Sequence, residues 1–278
     1  MIEYQISPDS VAKDDSFVQN PPSKKGFHPI YVYHGPDDSI KSLPVKSVVM
    51  KQNFKAGSQL MQDEIVIALT SKLRELLPIS QGKDSFFFID LASNDAIQLS
   101  NTLLLEENGW KGLCIEPNPI YWYRLAHRKC EVVGTFVGGK NDMKEVDVSL
   151  TNEEEGGIVG EEMDNRKVNN KQTTEKRYTI SIRSLFSSFQ VPNKIDYMSL
   201  DVEGAEGIVM DDFPFESYKI SFLTVERPKL ELQKLLKDNG YQFVIMLASW
   251  GETLWVHESV TTKFSLKEIE GVVSKGNK

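Results

Sequence analysis

Acidic residues stand at the ends of four apolar runs in this 278-residue chain. Asp90 ends "FFFID", Glu116 ends "GLCIE", Asp201 and Glu203 follow "IDYMSL", and Glu226 ends "SFLTVE". Carboxylates gathered at one sheet edge repel one another, so a purely structural sheet has little reason to keep them. A ligand site does. Glu116 comes twenty-odd residues after the turn at Asp90, the spacing at which an acidic group meets ribose hydroxyls in dinucleotide sites. A carboxylate accepts two hydrogen bonds from a vicinal diol; the bland alternative is an exposed loop carboxylate. Asp90 suits a cationic ligand group, or the N–H groups of its own turn. In "LDVEGAEG", Gly204 permits a sharp turn, Glu203 and Glu206 open a helix, and capping alone accounts for Glu206. Asp201 reads as a general base or as a ligand for a divalent cation, with Glu203 and Glu226 close to it in space. No histidine is placed as a further ligand, so the expectation is no metal. His127, in "RLAHRK", reads as a solvated helix residue. His257 ends the last strand, and Trp250 and Trp255 read as core or rim rather than as a substrate platform.

These groups need a scaffold that brings strand ends together. "SFFFIDL" is short and continuously apolar, as in a parallel strand buried on both faces. From there strands and helices alternate: "AIQLSNTLLLEEN" as a helix capped by Asn94 or Asp95, "KGLCIEP" as a strand, and "PIYWYRLAHRK" as a helix with Asn118 as cap and Pro119 first. "CEVVGTFVG", "KIDYMSLDV" and "SYKISFLTVE" are further strands, and Pro228 opens "KLELQKLLKDN". "YQFVIMLA" and "TLWVHE" flank "SWGE" as a closing antiparallel hairpin. Residues 1–56 form an extended arm with one short strand around Ile30 to Tyr33. Ser58 is expected to cap the helix in "SQLMQDEIVIALTSKLRELL", residues 57–260 form the main domain, and 261–278 a tail. The acidic stretch 151–176 has almost no apolar content and reads as a mobile insertion loop.

Alternation of this kind implies a doubly wound α/β fold with a mostly parallel sheet. Ligands in such sheets bind beyond the carboxyl ends of the strands, where the strand order reverses. The net charge of −8 argues against a general polyanion binder such as a nucleic-acid protein. No apolar run reaches the ~20 residues of a membrane-spanning helix. Two cysteines, Cys114 and Cys130, suit neither a disulfide framework nor a zinc site. With no secretion signal and no N-glycosylation acceptor, the expectation is a cytoplasmic protein.

Taken in order, "QDEIV", "FIDLASNDAIQLSNTLLLEENGWKGLCIEPNP", "IDYMSLDVEGAE" and "LTVERP" resemble the FkbM-type methyltransferases, from about Gly57 to about Val256 with the acidic insertion left out. The resemblance implies a Rossmann-like class I methyltransferase fold, with a mostly parallel seven-stranded sheet and a C-terminal antiparallel hairpin. It implies S-adenosyl-L-methionine as cofactor and methylation of a hydroxyl on a small metabolite or glycan. Asp90, Ala92, Asn94, Asp95, Glu116 and Asn118 would then hold the cofactor. Asp201, Glu203 and Glu206 match the family's D-x-E-G-x-E signature, and Asp201, Glu203 and Glu226 would serve the methyl-transfer end. One departure stands out: the family turn D-I-G-A-N-D-G is here "DLASNDA". A β-carbon at Ala92 or Ala96 disfavours positive φ and narrows the cleft. The retained Asp90, Asn94 and Asp95 favour a working cofactor turn in a tighter form. The same departure supports a second reading, a catalytically inactive methyltransferase-like module for interaction or trafficking.

Overall fold

The computed structural model describes residues 2–4, 30–33, 58–76, 86–150, 156–160, 163 and 174–276. Among the described residues thirteen strands make two sheets. The first contains β1 (Ile2–Tyr4), β2 (Ile30–Val32), β3 (Phe87–Leu91), β4 (Lys111–Ile115), β5 (Glu131–Gly134), β10 (Lys194–Leu200), β11 (Lys219–Glu226), β12 (Tyr241–Met246) and β13 (Glu252–His257). Their order is β1-β2-β5-β4-β3-β10-β11-β13-β12. β2 to β11 pair in parallel, whereas β1 and β13 run against their neighbours, so the sheet is mixed and has nine strands rather than seven. The second sheet runs β6 (Phe136–Val137), β9 (Glu175–Ile180), β7 (Lys144–Ser149) and β8 (Gly157–Ile158).

Both faces of the large sheet are covered, which is why its strands read as unbroken apolar runs. Successive residues of one strand go to opposite faces. Phe88, Tyr197, Phe222 and Leu254 enter one core, and Ile89, Met198, Leu223 and Trp255 enter the other. The first core is closed by α1 (Gln62–Glu75), α2 (Leu103–Glu107), α3 (Trp122–Leu125), α7 (Glu258–Thr261) and α8 (Leu266–Gly276). The second is closed by α4 (Ile182–Ser188), α5 (Glu206–Met210) and α6 (Leu230–Asp238). No helix among the described residues is long and apolar enough to cross a membrane.

Several expected elements take a different form. Ser58 does not cap α1: its hydroxyl donates to Asp63 Oδ1 at 2.7 Å, and Met61 holds the N-cap position with φ +59°. The helix expected from Ala96 shrinks to Leu103–Glu107, because Asp95 Oδ1 closes its own turn by accepting from Ile97 and Gln98, and Leu99 adopts φ +58°. "CEVVGTFVG" is two strands, not one: β5 stays in the large sheet, and after Thr135 the chain passes into the second sheet as β6. The C-terminal residues carry α8, whose Ile269 and Val273 are fully buried against the core shared with α1. Apolar residues four apart on a short helix need such a partner to be stable. The short strand expected near Ile30 is β2. Most of the insertion 151–176 lies outside the described residues, as does most of the arm.

Cys114 and Cys130 form a disulfide, with Cα atoms 6.0 Å apart across 16 residues of sequence. The expectation that neither pairs is corrected. β4 and β5 are parallel neighbours, and the residue just before β5 therefore reaches the side chain of Cys114. Disulfides persist in oxidising compartments, so the cysteines lend no support to a reducing one. Cys130→Ser is expected to cost about 3 kcal/mol of unfolding free energy, the loop-closure value for a ring of this size, read by urea denaturation against the oxidised parent.

Candidate functional site

Beyond the carboxyl ends of β3, β4, β10 and β11 lies a cavity of about 480 Å3. That volume is within the range of small-molecule sites. Ala92, Asn94, Glu116, Asn118, Asp201, Glu203 and Glu226 line it, so seven of the nine residues singled out for cofactor binding or catalysis converge there. Asp90 and Asp95 are the exceptions. Both are buried, and both face away from the cavity into the polar packing that holds the loop at 92–102.

That packing is a chain of hydrogen bonds. Asp90 Oδ2 accepts from the Thr102 hydroxyl at 2.5 Å, and Thr102 Oγ1 accepts from Arg128 Nη2 at 3.1 Å. Arg128, fully buried, also donates to Glu106 Oε2 at 3.0 Å and to Ser100 Oγ at 3.0 Å. Glu106 in turn accepts from the amides of Lys129 and Cys130. Asp95 Oδ2 is ion-paired with Arg124, also buried. Asp90 is thus neither a ligand group at the cavity wall nor the acceptor of its own turn's amides. Burial raises its pKa to about 6, against the opposing effects of the Thr102 hydrogen bond and of Arg128.

Glu116 joins two loops. Its Oε2 accepts from the Asn94 amide at 2.8 Å and its Oε1 from the Asn118 amide at 2.7 Å. Burial nevertheless lifts its pKa to about 7. Each carboxylate oxygen has two lone pairs, so the amides leave capacity for a ligand diol. Asn118 accepts from Ile120 through Oδ1 and caps a 3-10 turn at Pro119–Tyr121, the cap-then-proline order expected, although the helix that follows spans only Trp122–Leu125.

The third group gathers at the ends of β10 and β11. One oxygen each from Asp201, Glu203 and Glu226 lies within 4.8 Å of the other two. Burial, followed by a hydrogen bond and repulsion from Glu226, drives the Asp201 pKa well above the ordinary carboxylate range. Arg227 faces the same group, 2.7 Å from Glu226 and 3.3 Å from Glu203. Glu206 bonds the Val202 and Gly204 amides and does not line the cavity, in keeping with a capping role.

Strain is concentrated here. Eight described non-glycine residues have positive φ, and five of them, Ala92, Asn94, Leu99, Glu203 and Arg227, line the cavity. Such backbone persists only where surrounding structure over-determines it, and it clusters at ligand sites. Ala92 has φ +61°, while Ala96 keeps negative φ and is fully buried in the core. Of the two departures from the family turn, only Ala92 is strained. Ala92→Gly is expected to raise unfolding free energy by up to about 1 kcal/mol, measured in urea, because glycine enters the left-handed region without the β-carbon clash.

Sequence reasoning missed Gln62, Asn101, Arg227 and Glu252. Gln62 and Asn101 stand in "QDEIV" and "SNT", two of the motifs that carried the resemblance, and both line the cavity. Glu252 pairs across the sheet with Glu226 because β13 is antiparallel, and burial with repulsion from Glu226 raises its pKa to about 7. The same reversal carries His257 to the opposite end of the sheet, where its Nδ1 caps α7 through Ser259. His127 is buried, contrary to the solvated helix role expected: α3 ends at Leu125, and His127 lies in the turn that follows it. Trp255 is core, and Trp250 is a half-exposed rim residue of the cavity.

No curated protein matches this chain. The family model for the methyltransferase FkbM domain matches residues 90–246, more than half of its length, from the strand that precedes the strained turn to the first strand of the hairpin. The chain therefore belongs to the FkbM methyltransferase domain family.

Proposed function

We propose that this chain is an S-adenosylmethionine-dependent O-methyltransferase acting on a hydroxyl of a small metabolite or glycan. The observation that carries the reading is the meeting of Glu116, Asp201, Glu226 and the Ala92–Asn94 turn around one cavity at the strand ends. Strand order supports it. Seven strands run β5-β4-β3-β10-β11-β13-β12, only β13 among them reversed, and the chain switches direction between β3 and β10. That order supports the reading of a Rossmann-like class I methyltransferase, which would take its ligand at the switch point.

The residues present fit the cofactor. Ala92 lines the cavity without filling it, Glu116 retains acceptor capacity, and the buried Asn118 Nδ2 has no protein partner. Ala92, Asn94, Glu116 and Asn118 would hold the cofactor, which supplies a methyl group on a positively charged sulfur. Carboxylates at 201, 203 and 226 favour a cation in the cavity and orient the acceptor hydroxyl. Asp201 in its ionised form takes the hydroxyl proton, a transfer that its raised affinity for a proton favours, and Glu226 steadies the protonated acid. Alignment of acceptor and methyl group accounts for most of the remaining rate.

A catalytically inactive module is the second reading. It draws on the strain at Ala92 and on Arg227, which occupies Glu203 and Glu226. Thermal and urea unfolding with S-adenosylmethionine or S-adenosylhomocysteine separates the two. Ligand at a hundred times its Kd stabilises the fold by about 2.7 kcal/mol, whereas no shift at millimolar ligand favours the module. Transfer of labelled methyl to a metabolite and glycan extract then finds the acceptor.

A further inference from the structure

Glu252 is buried, titratable and used by no step of the transfer described above. The register of β13 against β11 places it directly opposite Glu226, so the two side chains leave the same face of the sheet as neighbours. They are 5% and 9% exposed. Like charges so placed destabilise a sheet, and burial weakens the screening that would relieve them. Glu226 stands in turn beside Asp201 and Glu203, one oxygen of each lying within 4.8 Å of the other two. The acids therefore run inward from the cavity wall: Asp201, Glu203 and Glu226 line it, and Glu252 lies behind Glu226.

The surroundings leave Glu252 short of positive charge. Glu206 and Glu226 repel it, and Arg227 sits on the far side, paired with Glu226 and Glu203. Its own hydrogen-bond partners, Thr224 and Gln62, are neutral. Gln62 Oε1 accepts from the Leu60 amide at 2.9 Å, which leaves its Nε2 for Glu252. Thr224 Oγ1 meets the hydroxyl of Tyr197, also neutral, at 2.8 Å. A proton is the remaining means of relief, and burial with repulsion from Glu226 keeps one on Glu252 up to about pH 7. Acids this close hold such a proton in common.

We propose that Glu252 is a positioning residue that shares one proton with Glu226 and Asp201 and releases it to solvent when positive charge enters the cavity. One unit of charge arrives and one departs. The release leaves Asp201 ionised, the form that can take a hydroxyl proton, so the base is made ready by the arrival of the methyl donor. Glu252 need not touch the ligand, because charge acts across several ångströms. The inference rests on the cofactor reading above, in which the methyl donor is a cationic sulfonium and its product a neutral thioether.

That difference in charge supplies a test without an acceptor. Titration calorimetry near pH 6.5, in buffers of different ionisation enthalpy, counts the protons released per ligand bound. Wild-type protein should release about half a proton more with S-adenosylmethionine than with S-adenosylhomocysteine, since a positive charge a few ångströms away makes an acid lose its proton more readily. Glu252→Gln preserves shape and should lose about half of that difference or more, and Glu252→Asp, which keeps an acid, should restore it. The ligands' own ionisable groups are common to all three proteins. A role in packing alone would change the affinity for both ligands and leave the proton count alone. Equal release with the two ligands in wild type, or an undiminished difference in Glu252→Gln, overturns the proposal and leaves the cofactor reading intact. Should Glu252→Gln not fold, the wild-type comparison decides by itself. Binding of neither ligand removes the cofactor reading and this inference with it.

Discussion

Asp201→Asn is expected to lower methyl transfer by at least about 10²-fold while leaving the affinity for S-adenosylhomocysteine within a few-fold of wild type. The amide preserves shape but cannot take a proton. Asp201 sits beyond β10, on the other side of β3 from the Glu116 and Asn118 loop that would hold the nucleoside, so binding and proton transfer separate in space. The same change should stabilise the fold at pH 8. It removes a half-buried acid whose ionised form is disfavoured by desolvation and by Glu226, Glu252 and Glu203. Gain of stability with loss of activity is the signature of a group kept for function. A fully active Asp201→Asn protein would remove Asp201 from the mechanism. A destabilised one would show that its carboxylate is a structural acceptor.

Stability of the unliganded chain should rise as pH falls from 8 to 5, the reverse of ordinary acid denaturation. Asp90, Glu116 and Glu252 hold their protons up to about pH 6, 7 and 7 in the folded chain, in each case chiefly because they are buried. Unfolded, they release them near pH 4. Between those limits the folded state carries more protons, so raising the pH favours unfolding. The penalty is fully present above about pH 7 and absent below about pH 4. Each group contributes on the order of 3 kcal/mol at most, and the three share one region, so their sum is smaller than three separate terms. Asp142, Glu216 and Glu268 have lowered pKa values, and their stabilisation is lost as pH falls. They are exposed or nearly so, and solvent screens their effect. Urea unfolding at pH 5, 6, 7 and 8 gives the curve, and Glu252→Gln should flatten it. Stability that climbs steadily from pH 5 to pH 8 would mean that these carboxyls ionise freely.

Residue type and order alone determined the alternating strands, their burial on both faces, and the acidic ends that meet at one edge. Parallel strands in a doubly wound sheet present their carboxyl ends together whatever the loops do, so Glu116, Asp201, Glu203 and Glu226 could be joined from sequence. The Pro119 and Gly204 turns were legible for a local reason, since each depends on one residue's own backbone freedom. Side-chain direction was not legible. Asp90 and Asp95 stand in the family turn as expected, yet Thr102 and Arg124 draw their carboxylates out of the cavity. Those partners lie 12 and 29 residues away and meet them only once the first core has packed. Glu252 came to lie beside Glu226 through an antiparallel pairing, and Cys130 became a disulfide partner through the adjacency of β4 and β5. Such neighbours are set by contacts across the sheet and between its layers, and strand propensity carries no record of them. Tertiary structure alone decided which of the acids face the cavity.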